Sequence, residues 1–233
     1  MKINLSNMEG DPQLQLEVPF TQGELADLER IGTRIRYPPD SKIMLEGERE
    51  DFALLIRKGT VKVVIRQPRR IIGLRGPGEI VGEMAAIRRK PRSASIVALD
   101  EVEALHLTAD AWLLFLKDHP RAALAQLYLA EERLAEVTRK SADSFLGAVQ
   151  KIAMAILELD SKELGTHTDD GIVLRFGQQD LADVAGVSLD SAKQVIRSFK
   201  SRGIVRTGRQ TTVVCDLEVL REIARGNLKA SSV

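Results

Sequence analysis

The sequence predicts an α+β chain: an N-terminal antiparallel β-roll, a long helix, and a C-terminal winged helix-turn-helix. Three observations carry this. Short β-branched runs punctuated by glycine crowd residues 43–107. A stretch without glycine follows, with apolar residues at helical spacing. Near the end, two short helical segments across a glycine turn precede a hairpin.

Taking the elements in order, Thr21 followed by Glu24, ahead of Leu25, Leu28 and Ile31, reads as a capping box opening a short helix that ends near Gly32. Tyr37-Pro38-Pro39-Asp40 breaks the pattern. Strands are expected at 43–45, 53–56, 61–65, 71–74, 95–98 and 102–107, with Gly47, Gly59, Gly73, Gly76 and Gly78 between or beside them. Many short strands at close spacing point to a small antiparallel roll.

Helices are expected at 109–116 and 120–142, divided at Asp118-His119-Pro120, because proline is tolerated in a first helical turn. In the second, Ala123, Leu127, Ala130, Leu134, Val137 and Ser141 recur at spacings of four and three, an a/d seam. Such a stripe can cover the chain's own roll or a second copy. A long helix leaving a roll favours the second copy, hence a homodimer. Glu131, Glu132, Arg133, Glu136, Arg139 and Lys140 are expected to keep the other faces in water, and Trp112 to anchor a core or an interface.

From Asp143 onward the pattern predicts a helix at 145–159, a polar loop at 162–171, a strand at 172–176 and short helices at 178–184 and 189–202. A hairpin at 204–215 turns at Thr207-Gly208-Arg209-Gln210. The expected domains are therefore 1–108, 109–142 and 143–233.

Composition excludes several function classes. Lys plus Arg is 34 against 33 Asp plus Glu, so a polyanionic partner must be met by a local patch rather than by the whole chain. A single cysteine, Cys215, excludes a disulfide framework, a zinc ribbon and a four-cysteine iron–sulfur cluster, and no metal is expected. No run approaches the ~18 apolar residues of a membrane span, and Met1-Lys2-Ile3-Asn4-Leu5 does not open a signal peptide. A cytoplasmic protein with no membrane partner is expected.

Gly82-Glu83-Met84-Ala85 followed by Pro91-Arg92-Ser93-Ala94-Ser95 puts a carboxylate, a guanidinium, a hydroxyl and several backbone amides within reach of one short loop. A guanidinium donates a fork of N–H groups to phosphate oxygens, and amides on small residues add an anion-binding concavity. A carboxylate only accepts, which suits a ribose 2′-hydroxyl. The spacing resembles the phosphate-binding cassette of cyclic-nucleotide-binding domains. That resemblance implies that Glu83, in the frame set by Gly82, holds the ribose. It gives Arg92, Ser93 and the amides of Met84 and Ala85 the phosphate. Glu46-Gly47-Glu48 and the run from Lys58 to Val63 also resemble turns of that roll, whereas the hairpin around Gln67-Pro68-Arg69-Arg70 is short for it. The competing reading makes Glu83 and Arg92 a structural ion pair.

The run from Gln179 to Ser188, Gln-Asp-Leu-Ala-Asp-Val-Ala-Gly-Val-Ser, resembles the first helix and turn of the CRP/FNR family of transcription regulators. Leu181, Ala182, Ala185, Val187, Ala192, Val195, Ile196 and Phe199 are its expected packed positions. From Ser188 to Gln210, Lys193, Arg197, Lys200, Arg202, Arg206 and Arg209 stand against Asp190 alone, a local charge of +5. Base edges carry specificity and phosphates carry affinity. Leu189, Asp190, Gln194 and Arg197 are candidates for bases of double-stranded DNA. Gln179, Ser188, Ser191, Lys193, Lys200, Thr207 and Arg209 are candidates for phosphates. Leu189, Asp190 and Gln194 differ from the arginine and glutamate pattern of the family's catabolite regulator, so its operator does not carry over.

The resemblance further implies a homodimer on a palindromic operator, with RNA polymerase as a partner and a cyclic nucleotide as effector, cyclic AMP ahead of cyclic GMP. Thr138 is the candidate base contact on the long helix. Ligand in the roll would set the recognition helices roughly 34 Å apart, one DNA turn. Two alternatives stay open: a constitutive DNA-binding regulator whose roll is a ligand-free or protein-contact scaffold, and a response to a different nucleotide. A phosphodiesterase reading finds no support in His106, His119 and His167, which lack metal-ligand spacing, so no catalytic residue and no enzyme is expected.

Overall fold

The computed structural model describes residues 16–142 and 146–227, the side chains of 136–142 excepted. The described residues fold as two compact units, residues 16–63 with 73–141, and residues 64–72 with 142 and 146–227. The architecture is α+β, with antiparallel sheets, a long helix and a C-terminal helix-turn-helix.

The first unit opens with helix α1 (Gln22–Ile31), where Thr21 and Glu24 form the expected capping box and the Gly32 N–H donates to Leu28. Strands β1 (Thr33–Tyr37), β2 (Lys42–Met44), β3 (Phe52–Lys58), β4 (Val61–Arg66), β5 (Arg69–Arg75) and β6 (Ile80–Val81) follow in the chain, with Val64–Ile72 of β4 and β5 belonging to the second unit. A short helix α2 (Glu83–Arg88), strands β7 (Ser95–Ala98) and β8 (Val102–Thr108), helix α3 (Ala109–Asp118) and the long helix α4 (Pro120–Ala142) complete it. Two antiparallel sheets run β1-β8-β3-β6 and β2-β7-β4-β5.

The unbroken apolar run of β3 has a physical reason. Ala53 and Leu55 point into a core with Leu28, Trp112 and Phe115, whereas Leu54 and Ile56 point into a second core with Met44, Val61 and Ile96. β3 is therefore buried on both faces, and alternation disappears. β8 divides likewise, Leu105 and Leu107 facing the first core, Val102 and Ala104 the second, and pairs with β3 through Leu55 opposite Leu105. Trp112 is fully buried, edge-on to Phe20 and stacked on Phe115, which makes it a core residue.

In the second unit, α5 (Ala148–Ser161) packs against α6 (Gln178–Ala185), α7 (Leu189–Ser201) and α8 (Leu217–Ala224). The sheet β11-β12-β10-β9 is built from β9 (Gly165–Thr168), β10 (Gly171–Leu174), β11 (Val205–Gly208) and β12 (Thr211–Val214). The predicted helix start at Phe145 lies outside the described residues; the helix begins after the Gly147 cap.

Five elements escape the sequence reading: helix α2 inside the expected loop, and four more. β1 and β9 are edge strands that expose most of their side chains, β6 has only two residues, and α8 follows the predicted hairpin under an Asp216 cap. Among the described residues no helix is long and apolar enough to cross a membrane.

Candidate functional site

The residues from Gly82 to Ser95 do not lie in a loop alone: Glu83–Arg88 turn into α2. Gly82 caps it at φ +78°, and a Cβ there would come within 2.6 Å of Arg92 Nη1 and 2.7 Å of Met44 Cε. Only glycine tolerates both the left-handed backbone and that approach. Met84 and Ala85 sit in the first helical turn, where amides lack an intrahelical acceptor. The Met84 side chain is exposed, Ala85 is buried and Ser93 is exposed.

Arg92 is buried at 4% exposure. Its backbone is held from both sides: the Gly47 N–H donates to its carbonyl at 2.9 Å, and its own N–H donates to Glu48 at 2.8 Å. Nearby, Ser95 Oγ accepts from the Glu46 N–H at 3.0 Å. The guanidinium spends Nη1 on the carbonyls of Phe52 (2.9 Å) and Gly82 (2.8 Å) and lies 4.5 Å over the Phe52 ring. Beneath, Phe52 stacks on His106. Nε and Nη2 are buried without a hydrogen-bond partner. Donors of a buried guanidinium that the fold leaves unpaired fit an anion. Burial pushes the Arg92 pKa down, and the charges of Glu50, Asp51, Glu83 and Glu48 pull it back.

Glu83 does not pair with Arg92 as the competing reading would have it. Its ion-pair partner is Arg133 of α4, with Nη1 3.6 Å from Oε1. Burial pushes the Glu83 carboxyl up, while Arg133, Arg75 and Arg92 favour its ionised form. Arg133, expected in water, instead reaches Glu83 and Glu79 with its side chain only 22% exposed. The signal for it was present: as a cation among helix acids it falls off the apolar stripe, but nothing local says that it meets the turn at Glu79 and the start of α2. Phe52 and His106 were also missed as site residues.

On α4, Ala123 is half-buried and Ala130 is exposed, and Leu127 and Leu134 are each 66% exposed. Val137, Thr138 and Ser141 have side chains outside the described residues.

In the second unit, the Ser188 side chain accepts from the Ser191 N–H at 3.1 Å and opens α7, and Gly186 at φ +64° makes the turn from α6. Ala192, Val195, Ile196 and Phe199 are buried, whereas Asp190, Lys193, Gln194, Arg197 and Lys200 are exposed, so one helix face is core and the other is polar. Ser188 and Arg209 are exposed, while Leu189, Ser191 and Thr207 are partly covered. Gln179 is exposed and donates from Nε2 to Asp183 at 2.8 Å. Of the expected packed positions, Leu181 and Ala182 are buried, Ala185 and Val187 half-buried. Cys215, just after β12, is exposed. His167 lies on β9, not in a loop, and pairs with Asp160.

Known proteins resemble both halves. Residues 34–119 match the cyclic nucleotide-binding domain family and residues 150–223 the Crp-like helix-turn-helix domain family. A cyclic AMP receptor protein of Thermus thermophilus is 30% identical over 194 residues, 82% of this chain and 87% of that protein. A CRP-like cAMP-activated global transcriptional regulator of Mycobacterium tuberculosis is 26% identical over 82% of this chain and 88% of its own. Among solved structures, the c-di-GMP responsive global regulator CLP of Xanthomonas campestris aligns with a TM-score of 0.75 at 23% identity, covering 83% of this chain and 99% of that one.

Proposed function

The chain belongs to the CRP/FNR family of transcription regulators, and from that premise we propose that it is a cyclic-AMP-responsive, dimeric DNA-binding switch. The observation that carries the ligand reading is Arg92: a buried guanidinium, braced by its backbone and by Phe52, with Nε and Nη2 unpaired. An anionic cyclic phosphate fits those donors together with the amides of Met84 and Ala85 and the hydroxyl of Ser93, and Glu83 is the acceptor for the ribose hydroxyl. Cyclic AMP is favoured over cyclic GMP by the relatives named for it. Thr138 is the candidate contact to the base.

The expected domains, 1–108, 109–142 and 143–233, divide the work. Leu127 and Leu134, exposed at heptad spacing, support a seam between two copies with Ala123, Ala130, Val137 and Ser141. The polar face of α7 supports major-groove binding, with Leu189, Asp190, Gln194 and Arg197 towards bases. Gln179, Ser188, Ser191, Lys193, Lys200 and Arg209 contact phosphates. A pair of such helices reads a palindromic operator in the cytoplasm, where RNA polymerase is the further partner. The switch has no catalytic step. Ligand would change operator affinity by a coupling of ~1–3 kcal/mol, about 5- to 150-fold.

Calorimetry with cyclic AMP and operator titration with and without it test this together. Binding to the wild-type protein, lost in Arg92→Ala along with the cyclic AMP effect on DNA, is the expected result. An operator affinity indifferent to the ligand sinks the switch and leaves the constitutive regulator. The CLP neighbour, responsive to c-di-GMP, makes that dinucleotide the second ligand to titrate.

A further inference from the structure

Between β5 and β6, a turn from Arg75 to Glu79 carries a carboxylate with two separate tasks. Glu79 Oε2 accepts from the Gly76 N–H at 2.9 Å, closing the turn. Glu79 Oε1 accepts from Arg133 Nη2 at 3.2 Å and lies 3.5 Å from Arg75 Nε. The turn is itself tied to β3, since the Ile56 N–H donates to the Glu79 carbonyl at 2.9 Å and the Gly78 N–H to Ile56 at 2.8 Å. Glu79 is therefore a fixed post against which Arg133 of α4 is set.

Arg133 stands between two carboxylates and divides itself unequally. It hydrogen-bonds Glu79 at 3.2 Å, but from Glu83 it stays 3.6 Å away, close enough to stabilise the ionised carboxylate and too far for a hydrogen bond. A full charged hydrogen bond from Arg133 would occupy an acceptor oxygen that a ribose hydroxyl needs. We infer that Glu79 is a positioning residue that holds Arg133 back from Glu83 and so leaves that carboxylate open to a ligand hydroxyl. The inference rests on the cyclic-nucleotide reading of the pocket. It adds to it a residue outside the cassette that acts through Arg133.

The test uses the full-length protein and two probes, cyclic AMP and its 2′-deoxy analogue. Glu79→Gln retains an oxygen for the Gly76 N–H but removes the anion facing Arg133. Cyclic AMP affinity should fall about tenfold, roughly one charged hydrogen bond, while affinity for the 2′-deoxy analogue stays unchanged. In an Arg133→Leu background the same substitution should have no effect on either probe. An equal loss for both probes, or an undiminished loss without Arg133, assigns Glu79 to the turn alone and overturns the inference. A wild-type protein that binds neither probe overturns the pocket reading and this inference with it; binding with no Glu79 effect overturns only the inference. Melting of the ligand-free single and double variants gives a second readout. Additive shifts there would mean that Glu79 and Arg133 are not coupled, and would overturn it too.

Discussion

Arg92 and Phe52 are joined twice: Nη1 donates to the Phe52 carbonyl at 2.9 Å, and the guanidinium carbon lies 4.5 Å above the Phe52 ring. The carbonyl contact fixes one edge of the head group and the ring fixes its plane. Nε and Nη2 are therefore oriented before any ligand arrives, so little side-chain entropy remains to be lost on binding.

Phe52→Leu should separate these effects. It keeps the carbonyl and most of the apolar volume but removes the aromatic platform. Cyclic AMP affinity should drop by about 0.5–2 kcal/mol, the range of a cation–π contact, with the fold retained. Calorimetry beside circular dichroism reads both; unchanged affinity would show that the ring contributes packing alone.

Arg121 ties the start of α4 to α1. It donates from Nε and Nη2 to the Glu24 carboxylate, from Nη1 to the Val18 carbonyl and from Nη2 to the Pro19 carbonyl. Burial raises the Glu24 pKa, but hydrogen bonds from Arg121 and Thr21 outweigh it, and the carboxyl lies below its ordinary value. A folded pKa below the unfolded one stabilises fully above the unfolded value, near ~4.3, and the contribution is lost as pH falls through the lower folded value. Arg121→Ala should therefore cost about 2–3 kcal/mol at neutral pH, with the gap to wild type narrowing only below about pH 4. Denaturant melts across that range check it; a constant gap would place the cost in packing.

Leu127→Glu with Leu134→Glu should yield a folded monomer. Both side chains are exposed in the single chain, so their loss leaves the roll's cores intact, while two acids on a shared stripe repel a second copy. Sedimentation should show half the wild-type mass, and operator affinity should collapse. A dimer that persists would move the seam elsewhere.

On α7, Lys200→Ala and Gln194→Ala should fail differently. Losing a phosphate contact lowers affinity evenly across sequences and reduces the salt slope by about 0.9 per contact. Losing a base contact costs about 1–3 kcal/mol at one operator position only. Binding to operator variants over a salt series separates them; identical behaviour would mean that Gln194 faces the backbone.

Local signals made much of this legible. The Thr21–Glu24 capping box and the Ser188 cap are written in neighbouring residues, and both appear in the structure. The cassette was readable as a set of donors and acceptors, yet its conformation was not. Six residues starting at Glu83 form a helix because Gly82 supplies a left-handed cap, a property of backbone rather than of pattern. β1 was missed although Arg34 and Arg36 alternate with Ile35 and Tyr37, because five residues squeezed between a helix end and Pro38-Pro39 read as a break, and Arg133 because its partners lie far back in the sequence. Long-range pairing of that kind leaves no periodic trace.

The braces on Arg92 limit how freely its surroundings can be exchanged between proteins. Gly47 and Glu48 grip its backbone, and Glu46 meets Ser95, from a segment well upstream of the cassette. Moved by recombination or grafting as the peptide Gly82 to Ser95, the cassette would carry its chemistry but leave its mounting behind. The transferable module begins upstream of Glu46, and a chimera cut there inherits the arginine together with what aims it.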